Sequence, residues 1–283
     1  MSEYDSIEAL CSAAEKAGMT ISETVLADQA EHMELPAEEL YVRMEKNLHV
    51  MIESVHEGMD PNLRSTSGLT GGDAAKIKAY AASGGMTGSF LNNAMARAVA
   101  VSEYNAAMGR IVASPTAGSC GILPGTVVSM LEEGRCSERA AVMSLFTAGA
   151  VGMIIAEKAS VAGAQGGCQA ECGSASAMAA AALVELAGGT PSQAAHACAM
   201  AIKSQLGLVC DPVAGLVEIP CIKRNVSGTA IAFTSAEMAL AGVESRIPVD
   251  ECVMAMRQVG ELLPCSLKET AQGGLASTPT ARK

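Results

Sequence analysis

Aromatic side chains are almost missing from this chain. Its 283 residues include no Trp, three Phe and four Tyr, while Gly alone contributes 28. A core without large rings must be filled by aliphatic and small side chains, so its elements have to approach closely. Helices with Ala, Gly and Ser on their faces do this best. Hydrophobic residues make up 49% of the chain, enough for a substantial core in one large domain. Charged residues are only 17%, against about 25% in an average soluble protein. A small supply of charge for a solvated shell implies large buried interfaces, with a partner or with further copies of the chain. Small residues also leave room for a cofactor, although a tightly packed core with no ligand fits the same composition.

Helix signals recur nearly end to end. Asp5 with Glu8 and Thr20 with Glu23 have capping-box spacing, and Gly18 is placed to end the first helix. A longer helix is expected from Pro36 to Gly58. A loop over Ser65 to Gly72 (STSGLTGG) is followed by a short helix from Asp73 to about Ala82. Further helices are expected over 88–108, 137–159, 168–187, 228–241 and 248–262, and one opens at Thr190-Pro191-Ser192-Gln193 and ends by Gly207. Two apolar, Gly- and Pro-rich breaks interrupt this series. SPTAGSCGILPG (Ser114–Gly125) is read as a loop or broken helix lining something internal, and Val209–Ile222 as mostly loop with at most a short strand. No alternating apolar/polar run or βαβ rhythm is present. The expected fold is therefore mainly α: a compact all-helical catalytic domain over residues 61–283, with Gly-rich loops lining a buried site. Residues 1–60 form a more charged helical N-terminal region packed on it.

The net charge of −11 argues against nucleic acid as a partner. The acidic start, MSEYDSIEAL, lacks the apolar region of a secretory signal. The most apolar stretch, Ala140–Ile155, is shorter than the roughly 20 residues of a membrane span and reads as a buried helix. A cytoplasmic location with no membrane contact is expected. Ten cysteines in a reducing compartment stay free unless they bind metal or do chemistry. Cys168 and Cys172 lie four apart in GGCQAECG, and Cys210 and Cys221 bracket a Pro-containing loop. No C-x-x-C pair of the zinc type occurs, so spacing leaves both a metal site and simple core packing open.

Several stretches, in order, resemble one family. GAQGGCQAECGSASAMAAAALVE, LGLVCDPVAGLVEIPCIKRN, LKETAQGGLASTPTAR, RSTSGLTGGDA (Arg64–Ala74) and MGRIVASPTAGSCGILPG (Met108–Gly125) are similar to the alpha chain, or catalytic domain, of iron–sulfur-dependent L-serine dehydratases. The likeness runs from about residue 60 to the C-terminus. It implies a [4Fe–4S] cluster on Cys168, Cys210 and Cys221, no pyridoxal phosphate, and a role in amino-acid catabolism that feeds gluconeogenesis. Single-chain relatives carry an extra C-terminal cysteine and a second domain with a GPSSSHT-like motif. Neither is found here, which implies the alpha subunit of the two-chain type, a separate beta subunit and an oligomeric enzyme. Cys120, Cys172 and Cys265 sit inside these motifs where cysteine is not required and read as small packing residues. Cys172, one helical turn from Cys168, is the alternative fourth ligand.

Dehydrating serine means removing a weakly acidic α-proton and expelling hydroxide, so an open iron acting as Lewis acid is well suited. The substrate carboxylate needs donors. Backbone N–H groups around Ser67, Gly68, Thr70, Gly71 and Gly72, before the helix at Asp73, are one candidate set. Thr116, Ala117 and Gly118 are the second. An ordinary helix start capped by Thr70 is the simpler alternative for the first. No general base is assigned: His32 and His49 read as solvated, His196 as a satisfied core residue, and His56 carries no family role. Lys203, Lys223 and Lys268 are most simply solvated. Rival activities are an L-cysteine desulfidase, a threonine-directed relative, and, outside enzymes, an iron–sulfur carrier or redox sensor.

Overall fold

A Ser-Ala-rich helix, Ser174–Leu186, forms the axis of the molecule, and every residue from Ser174 to Val184 is buried. A helix apolar on all sides has to be enclosed by others. The computed structural model describes residues 4–283, so the first three residues of the acidic N-terminal stretch lie outside it. The described residues form twelve α-helices: α1 (Ile7–Ala17), α2 (Ile21–Met33), α3 (Ala37–Gly58), α4 (Asp73–Ala81), α5 (Gly88–Ala106), α6 (Ile122–Glu132), α7 (Glu138–Lys158), the single turn α8 (Gly163–Gly166), the axial α9 (Ser174–Leu186), α10 (Pro191–Lys203), α11 (Cys221–Leu240) and α12 (Val249–Leu262). Among the described residues there is no strand, only one isolated parallel bridge between Cys210 and Lys268. The expectation of a compact all-helical fold is borne out.

Helices α6, α7, α10 and α11 pack around α9, α5 bridges α4, α6 and α11, and α12 leans on α10. The N-terminal helices join the same core: α1 lies on α10, α2 on α7, and α3 on α5 and α7. The small-residue argument is visible at Gly228 of α11, where a Cβ would lie 2.4 Å from Ile122 Cδ1 and 2.9 Å from Ser176 Oγ. Helix α7, with 21 residues, is long and apolar enough to cross a membrane by length and composition, yet 67% of its apolar window is buried in the core.

Most boundaries fall where the caps put them. Thr20 and Thr190 each complete a capping box, and Gly18 closes α1 in the left-handed region. Three expectations need correction. The cap of α1 is Ser6, whose side chain accepts from Ala9 N–H, and not Asp5. The apolar break after Ser114 already becomes α6 at Ile122, because Pro124 sits in the first turn, where its missing N–H costs no intrahelical bond. Helix α11 starts at Cys221, seven residues before the expected Gly228, since that glycine serves packing rather than helix entry.

Candidate active site

The cysteine motifs meet below the N-terminal end of α9. Cys168 stands at the entrance of a π-helical turn, Gln169–Gly173, that runs directly into α9. Wide turns of this kind are frequent at functional sites. Cys210 follows α10 on a segment clamped by the C-terminal tail: its N–H donates to Leu267 O at 2.9 Å, and Glu269 N–H donates to its carbonyl at 2.8 Å. Cys221 is the first residue of α11. Cys168, Cys210 and Cys221 are 2%, 3% and 8% exposed. All ten cysteines are free thiols.

Charge and burial set these thiols apart from one another. A hydrogen bond from Cys172, whose sulfur is 3.5 Å away, and the nearby Arg224 guanidinium hold the Cys168 thiol below its ordinary value despite burial. Burial raises the Cys210 thiol, and the charges of Cys168 and Glu171 raise it further. Burial likewise pushes Cys221 up to about 12, with Cys168 and Glu171 adding to it. Gln169 N–H donates to Leu208 O at 3.0 Å, joining the Cys168 and Cys210 segments, and Arg224 of α11 donates to Val209 O at 2.8 Å, joining the Cys210 segment to the helix that Cys221 opens. Among the described residues, no three His, Cys, Asp or Glu side chains close on a point fit for a single metal ion. Three soft sulfur donors on separate segments suit a larger sulfur-ligated group. Space is kept beside them by Gly163, where a Cβ would lie 3.0 Å from Cys210 Sγ and 2.6 Å from Glu171 Oε2.

Both candidate substrate loops flank these cysteines. Thr70 Oγ1 donates to Glu218 Oε2 at 2.7 Å, which joins the Ser65–Gly72 loop to the segment leading into Cys221. Glu218 is 4% exposed; burial would raise its carboxyl, but hydroxyls of Thr70, Ser65 and Ser67 outweigh it and keep the group below its ordinary value. A cleft of about 450 Å³ opens here, lined by Gly68, Thr70, Gly71, Glu218, Pro220 and Lys223 among others. Within this loop Ser67 Oγ accepts from Leu69 N–H at 3.1 Å, and Gly68 N–H donates to Ser65 O at 3.0 Å. Thr70 is not the cap of α4. Its N-cap is Gly72, and the buried Glu103 carboxylate takes the N–H groups of Asp73 and Ala74 at 3.1 and 3.3 Å. The N–H groups of Gly71 and Gly72 are left without a partner among the described residues.

On the other side, Thr116 Oγ1 donates to Glu171 Oε1 at 2.8 Å. Asn225 of α11 donates to Gly118 O at 2.8 Å and to Cys221 O at 2.9 Å, and accepts from Gly121 N–H at 2.9 Å. Ala117, between them, is exposed. Ser114–Pro115 and Ile219–Pro220, one at each loop, are cis peptides.

Residues 16–276 match the family model described as serine dehydratase alpha chain. The chain belongs to the serine dehydratase alpha chain family. The match begins well before residue 60, so α2 and α3 are part of the family pattern too. The chain is 52% identical over 264 residues to a Bacillus subtilis protein named as a probable L-serine dehydratase, alpha chain, covering 93% of this chain and 88% of that one. It is 45% identical over 267 residues to the L-serine dehydratase alpha chain of Peptoniphilus asaccharolyticus, covering 94% and 91%. With the L-serine dehydratase of Streptomyces coelicolor it shares 45% identity over 181 residues, 63% of this chain and 40% of that longer one.

In this family member the histidines stay away from the cysteines. His49 meets Glu138, His56 meets Glu132, His32 is exposed, and His196 Nδ1 accepts from Ser245 N–H at 3.2 Å. Lys203 donates to Ser245 Oγ and Lys223 pairs with Asp73. Cys120 and Cys172 are fully buried, as packing residues should be, whereas Cys265 is exposed. Polar residues of the site that were not singled out in the sequence are Glu103, Glu171, Asp211, Glu218, Arg224 and Asn225. Glu171 had a signal, being the one charged residue between Lys158 and Glu185. Burial raises its carboxyl, and the Thr116 hydroxyl partly offsets this.

Proposed function

We propose that this chain is the alpha subunit of an L-serine dehydratase, an ammonia-lyase that converts L-serine to pyruvate and ammonia. Cys168, Cys210 and Cys221 would hold a [4Fe–4S] cluster, and a separate beta chain would complete an oligomeric enzyme. The observation that carries this reading is the convergence of three buried thiols from three segments between two hydroxyl- and Gly-bearing loops, in a chain of this family. Two alpha chains align over about nine-tenths of their length while the longer Streptomyces enzyme aligns over 40%. That contrast supports a second polypeptide for the rest. Ten unpaired thiols support a cytoplasmic setting.

When bound, the cluster supplies an iron not held by cysteine, a Lewis acid for the substrate hydroxyl. The chain's own residues do the rest. The unpaired N–H groups of Gly71 and Gly72 suit the serine carboxylate, with Ser67, Gly68 and Thr70 shaping the cleft. Thr116, Ala117 and Gly118 would be a second set of substrate contacts, with Thr116 held by Glu171 and Gly118 by Asn225. Asp73 and Ala74 cannot add their N–H groups, because Glu103 already takes both.

The test is anaerobic purification, iron and acid-labile sulfide analysis, and pyruvate release from L-serine, L-threonine and L-cysteine with and without the candidate beta chain. About four irons per chain and serine-dependent pyruvate only with the partner support the reading. Iron without turnover under any pairing favours a carrier or sensor, and a folded, iron-free protein rejects the cluster.

A further inference from the structure

Arg224 lies on the first turn of α11, three residues after Cys221, with a side chain only 15% exposed. Its Nη1 donates to Val209 O at 2.8 Å, the residue before Cys210. Its Nη2 lies 2.8 Å from Asp211 Oδ1, the residue after Cys210. The charge of the same guanidinium lowers the Cys168 thiol. One side chain therefore ties the Cys210 segment to the Cys221 end of α11 and sets a positive charge near Cys168. We propose that Arg224 is the positioning residue that holds the Cys210 segment against the Cys221 end of α11 and sets a positive charge beside the Cys168 sulfur. The proposal rests on the cluster reading above and adds to it the element that assembles the ligands.

Only arginine fits this role. Its planar fork carries five donors in fixed directions, whereas lysine offers a compact charge that cannot reach Val209 O and the Asp211 carboxylate together in the same way. The buried cation is balanced by Asp211, whose side chain is 4% exposed. Asp211 is itself oriented by the tail: its Oδ2 accepts from Leu275 N–H at 2.7 Å. At Gly274, whose φ is +59°, a Cβ would lie 2.3 Å from that oxygen. A donor on a cysteine sulfur is also one of the levers that set a cluster's potential. A positive donor favours the reduced, more negative state, so removing it makes the cluster harder to reduce.

The experiment compares wild type, Arg224→Lys, the double variant Arg224→Gln/Asp211→Asn and Arg97→Gln, each purified anaerobically with the partner chain. The double variant removes both charges, so no buried ion is stranded. Arg97 is a control, a buried arginine paired with Glu132 and Glu133 away from the cysteines. Three quantities are read: circular dichroism for folding, the rate of iron loss to a chelator, and the reduction potential by dye-mediated titration. In the double variant, folding is retained, iron is lost about tenfold faster, and the potential moves negative, because the Arg224 charge acts on Cys168 while Asp211 is turned to the tail. Arg224→Lys recovers much of the potential but still loses iron faster than wild type. Arg97→Gln changes neither iron loss nor potential. Wild-type retention and potential in the folded double variant would overturn the role of Arg224 alone. A wild-type protein that takes up no iron would overturn it together with the cluster reading.

Discussion

Cys198 and Cys210 carry the same side chain and are both buried, yet their surroundings differ. Cys198 sits on α10 and donates its thiol to Ala177 O, with no charged neighbour bonded to it. Cys198→Ala should cost only about 1 kcal/mol of stability, seen in urea unfolding, and leave iron content unchanged. Replacing Cys168, Cys210 or Cys221 by Ser should instead abolish both iron and pyruvate production in an otherwise folded chain, as iron analysis and the lyase assay would show. Glu218 gives a pH signature. Its folded pKa lies below the ordinary 4.5, so its contribution is fully present above that value and is lost as pH falls through the lowered one. Unfolding midpoints between pH 3 and 6 should therefore fall less steeply with acid in Glu218→Gln than in wild type.

The helices report the small-residue packing through two glycines of opposite behaviour. At Gly58, the last residue of α3, a Cβ would fall 2.0 Å from Ala100 O of α5, so Gly58→Ala must push the two helices apart. A loss of about 3 kcal/mol is expected from such overpacking. At Gly149, inside α7, nothing lies within 4 Å, and Gly149→Ala should stabilise by about 0.5–1 kcal/mol through helix propensity. Thermal unfolding of the two variants should move in opposite directions. The sequence marked both only as glycines, since one-dimensional spacing does not say which helix crosses at which residue. The caps were more legible: Thr190-Pro191-Ser192-Gln193 predicts its helix start because the bonds that make a cap are local.

At the scale of the whole molecule, the chain's end reaches back to its active centre. The tail contributes Leu267 O and Glu269 N–H to Cys210 and Leu275 N–H to Asp211. Each such bond is worth about 1 kcal/mol. A chain ending at Leu263 should keep its helical circular dichroism, because α1–α12 are intact, but lose iron several-fold faster to a chelator. Exposed Leu69, at the rim of the cleft, is 55% accessible in the isolated subunit.

The sequence by itself determined the helical class, most helix ends and the segments that bear the site. Periodicity, caps and the Gly- and Pro-rich breaks are properties of neighbours along the chain. It also marked Cys168, Cys210, Cys221 and the two loops, through motifs whose likeness to one family reaches across the chain. Tertiary structure alone decided that Glu218 binds the Ser65–Gly72 loop, that Glu103 rather than Thr70 satisfies the start of α4, and that Arg224 ties the Cys210 segment to the Cys221 end of α11. These contacts join residues far apart in sequence, and no local pattern encodes them. They follow from close packing around α9, where small side chains let distant segments come within hydrogen-bonding reach.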